Sequence, residues 1–281
     1  MPTVTIGVPV FNGAEQIAEC LDCLLQQTFE DIEIVVSDNA STDTTGDIVR
    51  AYSARDSRVR YIRQPENIGL LANFRAVFEA AQSSYFVFRC HDDLSSLNYV
   101  EVLLGALRGN PRAGLAVPTV KSYRVGRPVR THRMPKSHTF QILNISELLF
   151  NSHAAWFCGL WEKAALRPVF ERNWAIYHSP WGPDHLTIYP FLIDRRVATA
   201  PEAIFIQRVT PKQAAAAYSR PDLQQMISLR HTFMATCKFY RRELGISGVQ
   251  EFLLAALTWL YTGKRIYPAR RILLRMIMRR N

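Results

Sequence analysis

Apolar positions in the first 110 residues follow two alternating periods. Short β-rich runs, "TVTIGVPV" at 3–10, "IEIVVS" at 32–37, "VRYIRQ" at 59–64 and "YFVFR" at 85–89, each lead into a stretch of helical spacing. Ile17, Leu21, Leu24 and Leu25 share one face after the first run, and a second helix is predicted over about 44–54. Leu71, Phe74, Val77, Phe78 and Ala81 follow the third run; Val100, Leu103, Leu104 and Leu107 follow the fourth. The first helix is expected from about Ala14, where Asn12 and Glu15 have capping-box spacing. Alternation at this interval predicts an α/β fold with right-handed crossovers and a mostly parallel sheet flanked by helices.

Open sheets of this kind bind ligands beyond the carboxyl ends of their strands. That rule gathers Asn12, Asp38, Asn67 and the adjacent pair Asp92 and Asp93 at one rim. Two neighbouring carboxylates repel and resist burial, so a metal ion, a basic side chain or water must answer them.

The pattern changes after about residue 115. "AVPTV" predicts another strand; beyond it Lys121, Arg124, Arg127, Arg130, Arg133 and Lys136 recur every third residue with no acid between them. A period of three suits neither a helix face nor a strand face, and the prolines and glycine there indicate a loop or irregular hairpin. It is either a solvated basic loop or a flap that contacts phosphates. Residues 213–281 read mainly as helices and end in "PARRILLRMIMRRN", where Ile272, Leu273, Met276 and Ile277 form a stripe among five arginines. Such a helix either packs on its own domain or lies on an anionic membrane.

Composition narrows the classes. The 281 residues, 48% hydrophobic and 21% charged, can bury a sizeable core as one large domain with an annex. No basic segment followed by an apolar core opens the sequence, so no signal peptide is expected, and the apolar run at 252–261 is too short to span a bilayer. Five cysteines, an odd number, favour a reducing compartment and thiols that pack, the Cys20–Cys23 pair included. The net charge of +10 is uneven: residues 1–120 hold 9 Arg/Lys against 15 Asp/Glu, whereas residues 121–281 hold 25 against 9. The basic part would suit a nucleic-acid or anionic-surface binding module, but it lacks interleaved aromatic platforms, and such a module leaves the acidic first part unexplained. A nucleotidyltransferase would carry a basic glycine-rich loop after the first strand; "VPVFNGAEQ" has no lysine or arginine.

Four blocks, two within "VTIGVPVFNGAEQIAECLDCLLQQTFEDIEIVVSDNASTDTT" and then "ENIGLLANFRAVFEAA" and "FRCHDDLSSLNYVEVL", resemble the large inverting glycosyltransferase family with the GT-A (Rossmann-like) fold, often called family 2. They cover about the first 105 residues, and beyond them the likeness thins to "GLWEKAALRP" and "WGPDHL". The resemblance implies a metal-dependent transfer from a nucleotide-diphosphate sugar, of UDP or dTDP type, to a saccharide or lipid-linked acceptor in polysaccharide or glycolipid biosynthesis. It implies Mg2+ or Mn2+ at Asp93 and Asp92, with Asp92 also on the donor's ribose side. Asp38 is implied as acceptor of the base imide hydrogen bond, the other reading being a turn or N-cap Asp, and Pro9, Phe11 and Asn12 as lining of the base pocket; Glu15, Asn67 and Asn73 are implied as weaker donor contacts, or else cap a helix or tie a loop. Asp184 in "SPWGPDHL" is the implied general base, with Trp181 and His185 shaping acceptor contacts and Arg208 approaching the phosphates.

The sequence departs from the family where Asp-x-Asp-Asp is common, because Cys90 and His91 precede the Asp pair. His91 either covers a phosphate or ribose or packs beside the strand. The expected organisation is a nucleotide-sugar-binding half at 1–115, an acceptor-binding and catalytic half at 116–212, and a C-terminal helical region at 213–281. The expected place is the cytoplasm, with peripheral contact at an anionic membrane, and no nucleic-acid partner is expected.

Overall fold

A computed structural model describes residues 1–135, 141–177, 182–209 and 222–278, with the side chains of 141–143 and 276–278 excluded. Lys136 of the basic series, Trp181 and the expected 212/213 boundary lie outside the described residues.

The β-rich runs form strands β1 (Val4–Val10), β2 (Ile32–Asp38), β3 (Val59–Arg63) and β4 (Tyr85–Phe88). Helices α1 (Ile17–Leu25), α2 (Thr45–Arg55), α3 (Leu70–Ala80) and α4 (Tyr99–Arg108) alternate with them. These four strands lie in the order β3-β2-β1-β4, all parallel, with Val10 beside Asp38 and Gly7 beside Phe88. Parallel strands covered on both faces bury nearly every side chain, and all seven residues of β1 are buried. The strand ends therefore converge on one rim, as the alternation requires.

One local expectation fails. The first helix begins at Ile17, three residues later than its spacing suggests, and no capping box forms. Asn12 takes a left-handed backbone (φ 50°), and its Oδ1 accepts from the Thr42 backbone N–H at 2.8 Å. That side chain is committed to the loop after β2, so it cannot cap α1.

The second half completes the sheet. β6 (Leu115–Arg124), β8 (Leu160–Glu162) and β9 (Val197–Val209) extend it in the order β4-β8-β6-β9-β5, where β5 is Leu94–Ser95. The long pairings are parallel; the antiparallel ones span two or three residues each. The basic series proves to be the short hairpin between β6 and β7 (Arg130–Thr131), turning through Gly126 at φ 72°.

Around the sheet stand α5 (Gln141–Asn151), a 3-10 turn at Ala154–Cys158, α6 (Lys163–Ile176) and α7 (Pro183–Ile193). Three helices follow: α8 (Leu223–Glu243), capped by an Asp222–Gln225 box, α9 (Gly248–Arg265) and α10 (Ala269–Met278). They rest on the body through buried polar links. Tyr240 donates to Asn173 Oδ1 at 2.7 Å, and Arg241 reaches both Tyr189 and Thr258 while holding Glu251 through two nitrogens.

Candidate active site

Register explains which residues meet. β5 follows the Asp pair directly and lies antiparallel to β9, with Leu94 beside Ile206, which carries Arg208 back to Asp92 and Asp93. The Arg208 backbone N–H donates to Asp93 Oδ1 at 2.8 Å, and its side chain reaches the Asp92 carbonyl and Glu19. Its Nη2 is buried with no hydrogen-bond partner among the described residues.

Asp93 is 6% exposed. Burial, and next the Asp92 charge, push its carboxyl up to about 7, against the downward pull of the Arg208 N–H and of Arg89 and Arg208. A cation held here would relieve both causes. Cys90 Sγ and one carboxylate oxygen each from Asp92 and Asp93 lie within 4.8 Å of one another, a spacing suited to a metal ion. The donor set fits: two carboxylates suit Mg2+ and Mn2+, and a thiol tolerates borderline metals better than Mg2+. The Cys90 thiol is in hydrogen-bonding contact with Cys158, and that contact and burial hold it protonated well above the usual thiol range.

Asp184 comes to the same place by another route. Gly182 adopts φ 83°, Pro183 occupies the first turn of α7, and Asp184 sits beside it. Its Oδ1 accepts the His185 backbone N–H at 2.7 Å, and burial raises its carboxyl above the ordinary value of 3.8. A cavity of about 270 Å³ is lined by Asp93 and Asp184 together, with Cys90, Trp174 and Gln207. Phe74, Phe157 and Phe205 also line it, and aromatic faces suit the C–H surfaces of a sugar ring.

Asp38 occupies the neighbouring part of the rim and is fully buried. Its Oδ1 accepts from Ser41 N–H at 2.8 Å, and its Oδ2 accepts from Tyr61 Oη and Arg63 Nη1, both at 2.7 Å. Hydrogen bonds from Ser41 and Tyr61, with the Arg63 charge, outweigh burial and hold the carboxyl below its usual range. A base imide would reach Asp38 only by displacing the Arg63 guanidinium. Ser41 also accepts from the Asn12 N–H, and His91 packs against the adjacent Gly13, so the Asp38 loop continues into the Asp92–Asp93 corner. His91 thus packs, and burial lowers its pKa.

Other members of the expected set divide. Phe11, 42% exposed, and Asn12 stand open at the rim. Glu15 is exposed, and Asn67 Oδ1 accepts from Asn39 and from the Gly69 N–H that precedes α3. Pro9 is buried within β1. Asn73 is 3% exposed and spends its amide on Ser37 and the Val10 carbonyl, so it ties β1 to β2. His185 faces inward to Tyr261, with 3.2 Å between its Nδ1 and the phenol oxygen.

Three residues emerge from the structure alone. Arg89 is 1% exposed, and none of its three guanidinium nitrogens has a hydrogen-bond partner among the described residues; it lies 5.0 Å from the Tyr99 and Phe205 ring centres. It places a buried positive charge behind Asp93. Trp174 lines the cavity with an indole N–H that also lacks a partner among the described residues. Cys158 meets Cys90 there.

Comparison with known proteins shows the family and the fold. Residues 5–169 match the family model described as glycosyl transferase family 2. The chain is 28% identical over 255 residues to the uncharacterized glycosyltransferase EpsJ of Bacillus subtilis (strain 168), covering 88% of this chain and 72% of that protein. Of three further glycosyltransferase relatives, matched over 100 to 103 residues, the chain spans only 14%, 33% and 30%. In fold it is similar to S. aureus TarS 1–349 in complex with UDP-GlcNAc, at 17% identity and TM-score 0.66, covering 93% and 71% of the two chains. It is also similar to the mannosyltransferase PcManGT from Pyrobaculum calidifontis in complex with GDP-Man and Mn2+, at 18% identity and TM-score 0.51, covering 99% and 75%.

Proposed function

The chain belongs to glycosyl transferase family 2, with the GT-A fold, and on that premise we propose that it is a metal-dependent inverting enzyme. It takes a nucleotide-diphosphate sugar of UDP or dTDP type and transfers the sugar to a saccharide or lipid-linked acceptor in polysaccharide or glycolipid assembly. The observation that carries this reading is the convergence of Asp93 and Asp184 on one aromatic-lined cavity at the carboxyl rim of the sheet. The reading divides the chain into a donor half at 1–115, an acceptor half at 116–212 and a helical region at 213–281. It puts the enzyme in the cytoplasm, in peripheral contact with the inner face of an anionic membrane.

Phe11 and Asn12 would flank the base, and Asp38 would accept its imide N–H once Arg63 swings away. Arg63 would then be free to meet a phosphate. Asp93 and Asp92, with Cys90 beside them, would hold a divalent cation. That cation would stabilise the charge growing on the leaving diphosphate. Arg208, fixed against the Asp pair with one nitrogen to spare, would supply further positive charge there. Asp184, its proton affinity raised by burial, would take the proton from the acceptor hydroxyl as that oxygen attacks the anomeric carbon opposite the leaving group. The ring faces of Phe157 and Trp174 would keep water from the reacting centre.

A thermal-shift screen of nucleotide sugars with and without Mn2+ tests the reading, since a ligand bound only by the folded state raises Tm by mass action. A uridine or thymidine diphosphate sugar should stabilise the protein, and more strongly with Mn2+. No shift with any nucleotide sugar would reject it.

A further inference from the structure

Helix α9 is apolar on both sides. Leu254, Thr258, Tyr261 and Thr262 point inward and are buried against the body, and the opposite arc carries a second apolar row that is exposed among the described residues. Val249 is 78% exposed, Phe252 74%, Leu253 37%, Trp259 49% and Leu260 50%. Their spacing of three, one, six and one sets them on one helical face. In α10, Ile272 turns inward while Leu273 and Leu274 stand 58% and 59% exposed, preceded by exposed Arg270 and Arg271. Both helices rest on α8, and the residues joining them, 266–268, are only three.

A row of large apolar side chains left exposed along one helical face suits an interaction surface. Charge indicates its partner. Described residues 222–275 hold 9 Lys/Arg against 3 Asp/Glu. One of those acids, Glu251, is already paired with Arg241, and another, Asp222, caps α8. Arg242 at the end of α8 and Arg270 and Arg271 at the start of α10 are exposed, and long basic side chains can lie along an apolar surface while their charges reach lipid headgroups. Trp259 sits mid-row, the residue type that anchors at a membrane interface. No helix among the described residues is long and apolar enough to cross a membrane, so insertion would be shallow.

The face is joined to the cavity. Ile266, at the end of α9, packs on Gly182, next to Asp184, and Tyr261 of α9 meets His185. We infer that the outer faces of α9 and α10 dock on an anionic lipid bilayer, seating the Asp184 side of the cavity near the membrane, where a lipid-linked acceptor lies. The docking face is argued from exposure and charge alone, and it stands whether or not the cavity transfers sugar.

The experiment is co-sedimentation of the full chain with phosphatidylcholine vesicles containing phosphatidylglycerol, compared with pure phosphatidylcholine, combined with quenching of tryptophan emission by brominated lipid. Binding should be at least tenfold tighter to the anionic vesicles. Quenching should fall markedly in Trp259→Phe. The variant Val249→Gln/Phe252→Gln/Leu260→Gln should keep its circular dichroism and Tm but bind vesicles at least tenfold more weakly. Equal binding by that variant overturns the proposal, as does failure of the wild type to bind. A dimer in sedimentation equilibrium that the triple substitution dissociates overturns it too, because the face would then be covered by a second copy.

Discussion

Asp93 and Asp184 line one cavity although the first follows β4 and the second opens α7. Sheet order explains the meeting: β8 and β6 add to β4, and the chain returns through α7 before β9 closes beside β5. A metal-side carboxyl and a candidate base are therefore held by separate elements, and each can be removed without the other.

Burial raises the proton affinity of Asp184, and a base acts only when ionised. Lowering pH through that raised value should remove turnover, so the acidic limb of kcat should lie above the ordinary aspartate value of 3.8. A kcat profile against pH checks this, and an acidic limb at or below 3.8 contradicts it.

Cys90 stands where the family often has a carboxylate, and its sulfur lies within 4.8 Å of both aspartate donors. Cys90→Asp should therefore raise Mg2+ affinity relative to Mn2+ by about tenfold, since a third hard oxygen takes the place of a thiol held protonated beside Cys158. Calorimetric titration of each metal in the presence of donor measures the ratio.

Trp174 packs 4.5 Å from the Phe170 ring centre and 6.4 Å from that of Phe74, while its N–H lacks a partner among the described residues. Trp174→Phe keeps the packing and removes the donor. If that N–H holds a substrate hydroxyl, KM rises about tenfold, the worth of one hydrogen bond, with Tm nearly unchanged. Steady-state kinetics beside a melting curve distinguishes this from a purely structural part.

His153 caps the 3-10 turn, its Nδ1 accepting from the Ala155 N–H at 3.1 Å, so the ring must be neutral there. Burial, then the neighbouring His132 charge, lower its pKa from 6.5 to about 3. The stability it contributes is present above pH 6.5 and is lost as pH falls from 6.5 towards 3, because the unfolded chain binds the proton first. At pH 5 the loss amounts to about 2 kcal/mol. Chemical denaturation at pH 7 and pH 5 should show a fall smaller by about that amount in His153→Asn, which keeps a capping oxygen.

The fold was largely legible because its periods are local. Alternation at Val4–Val10 and the three-four spacing after Leu70 need no knowledge of the rest of the chain. The capping box at Asn12 failed because a contact from the next loop, Thr42, claimed that side chain. Asn73 ties two strand ends through its amide, and such an amide has the same sequence signature as one that faces a cleft. Arg208 beside Asp93, Arg89 behind it and Trp174 across the cavity depend on the β5–β9 register and on α6 packing, and no local pattern encodes either.

The account rests most on the division of labour between Asp93 and Asp184. Nucleotide release from the donor, with water or saccharide as acceptor, should be measured beside donor affinity in the presence of Mn2+ for wild type, Asp93→Asn and Asp184→Asn. Asp93→Asn should lose metal-dependent donor affinity at least tenfold, and Asp184→Asn should keep that affinity while its turnover falls at least a hundredfold. Normal turnover in either variant, or a loss of donor affinity in Asp184→Asn as large as its loss of rate, would contradict the account.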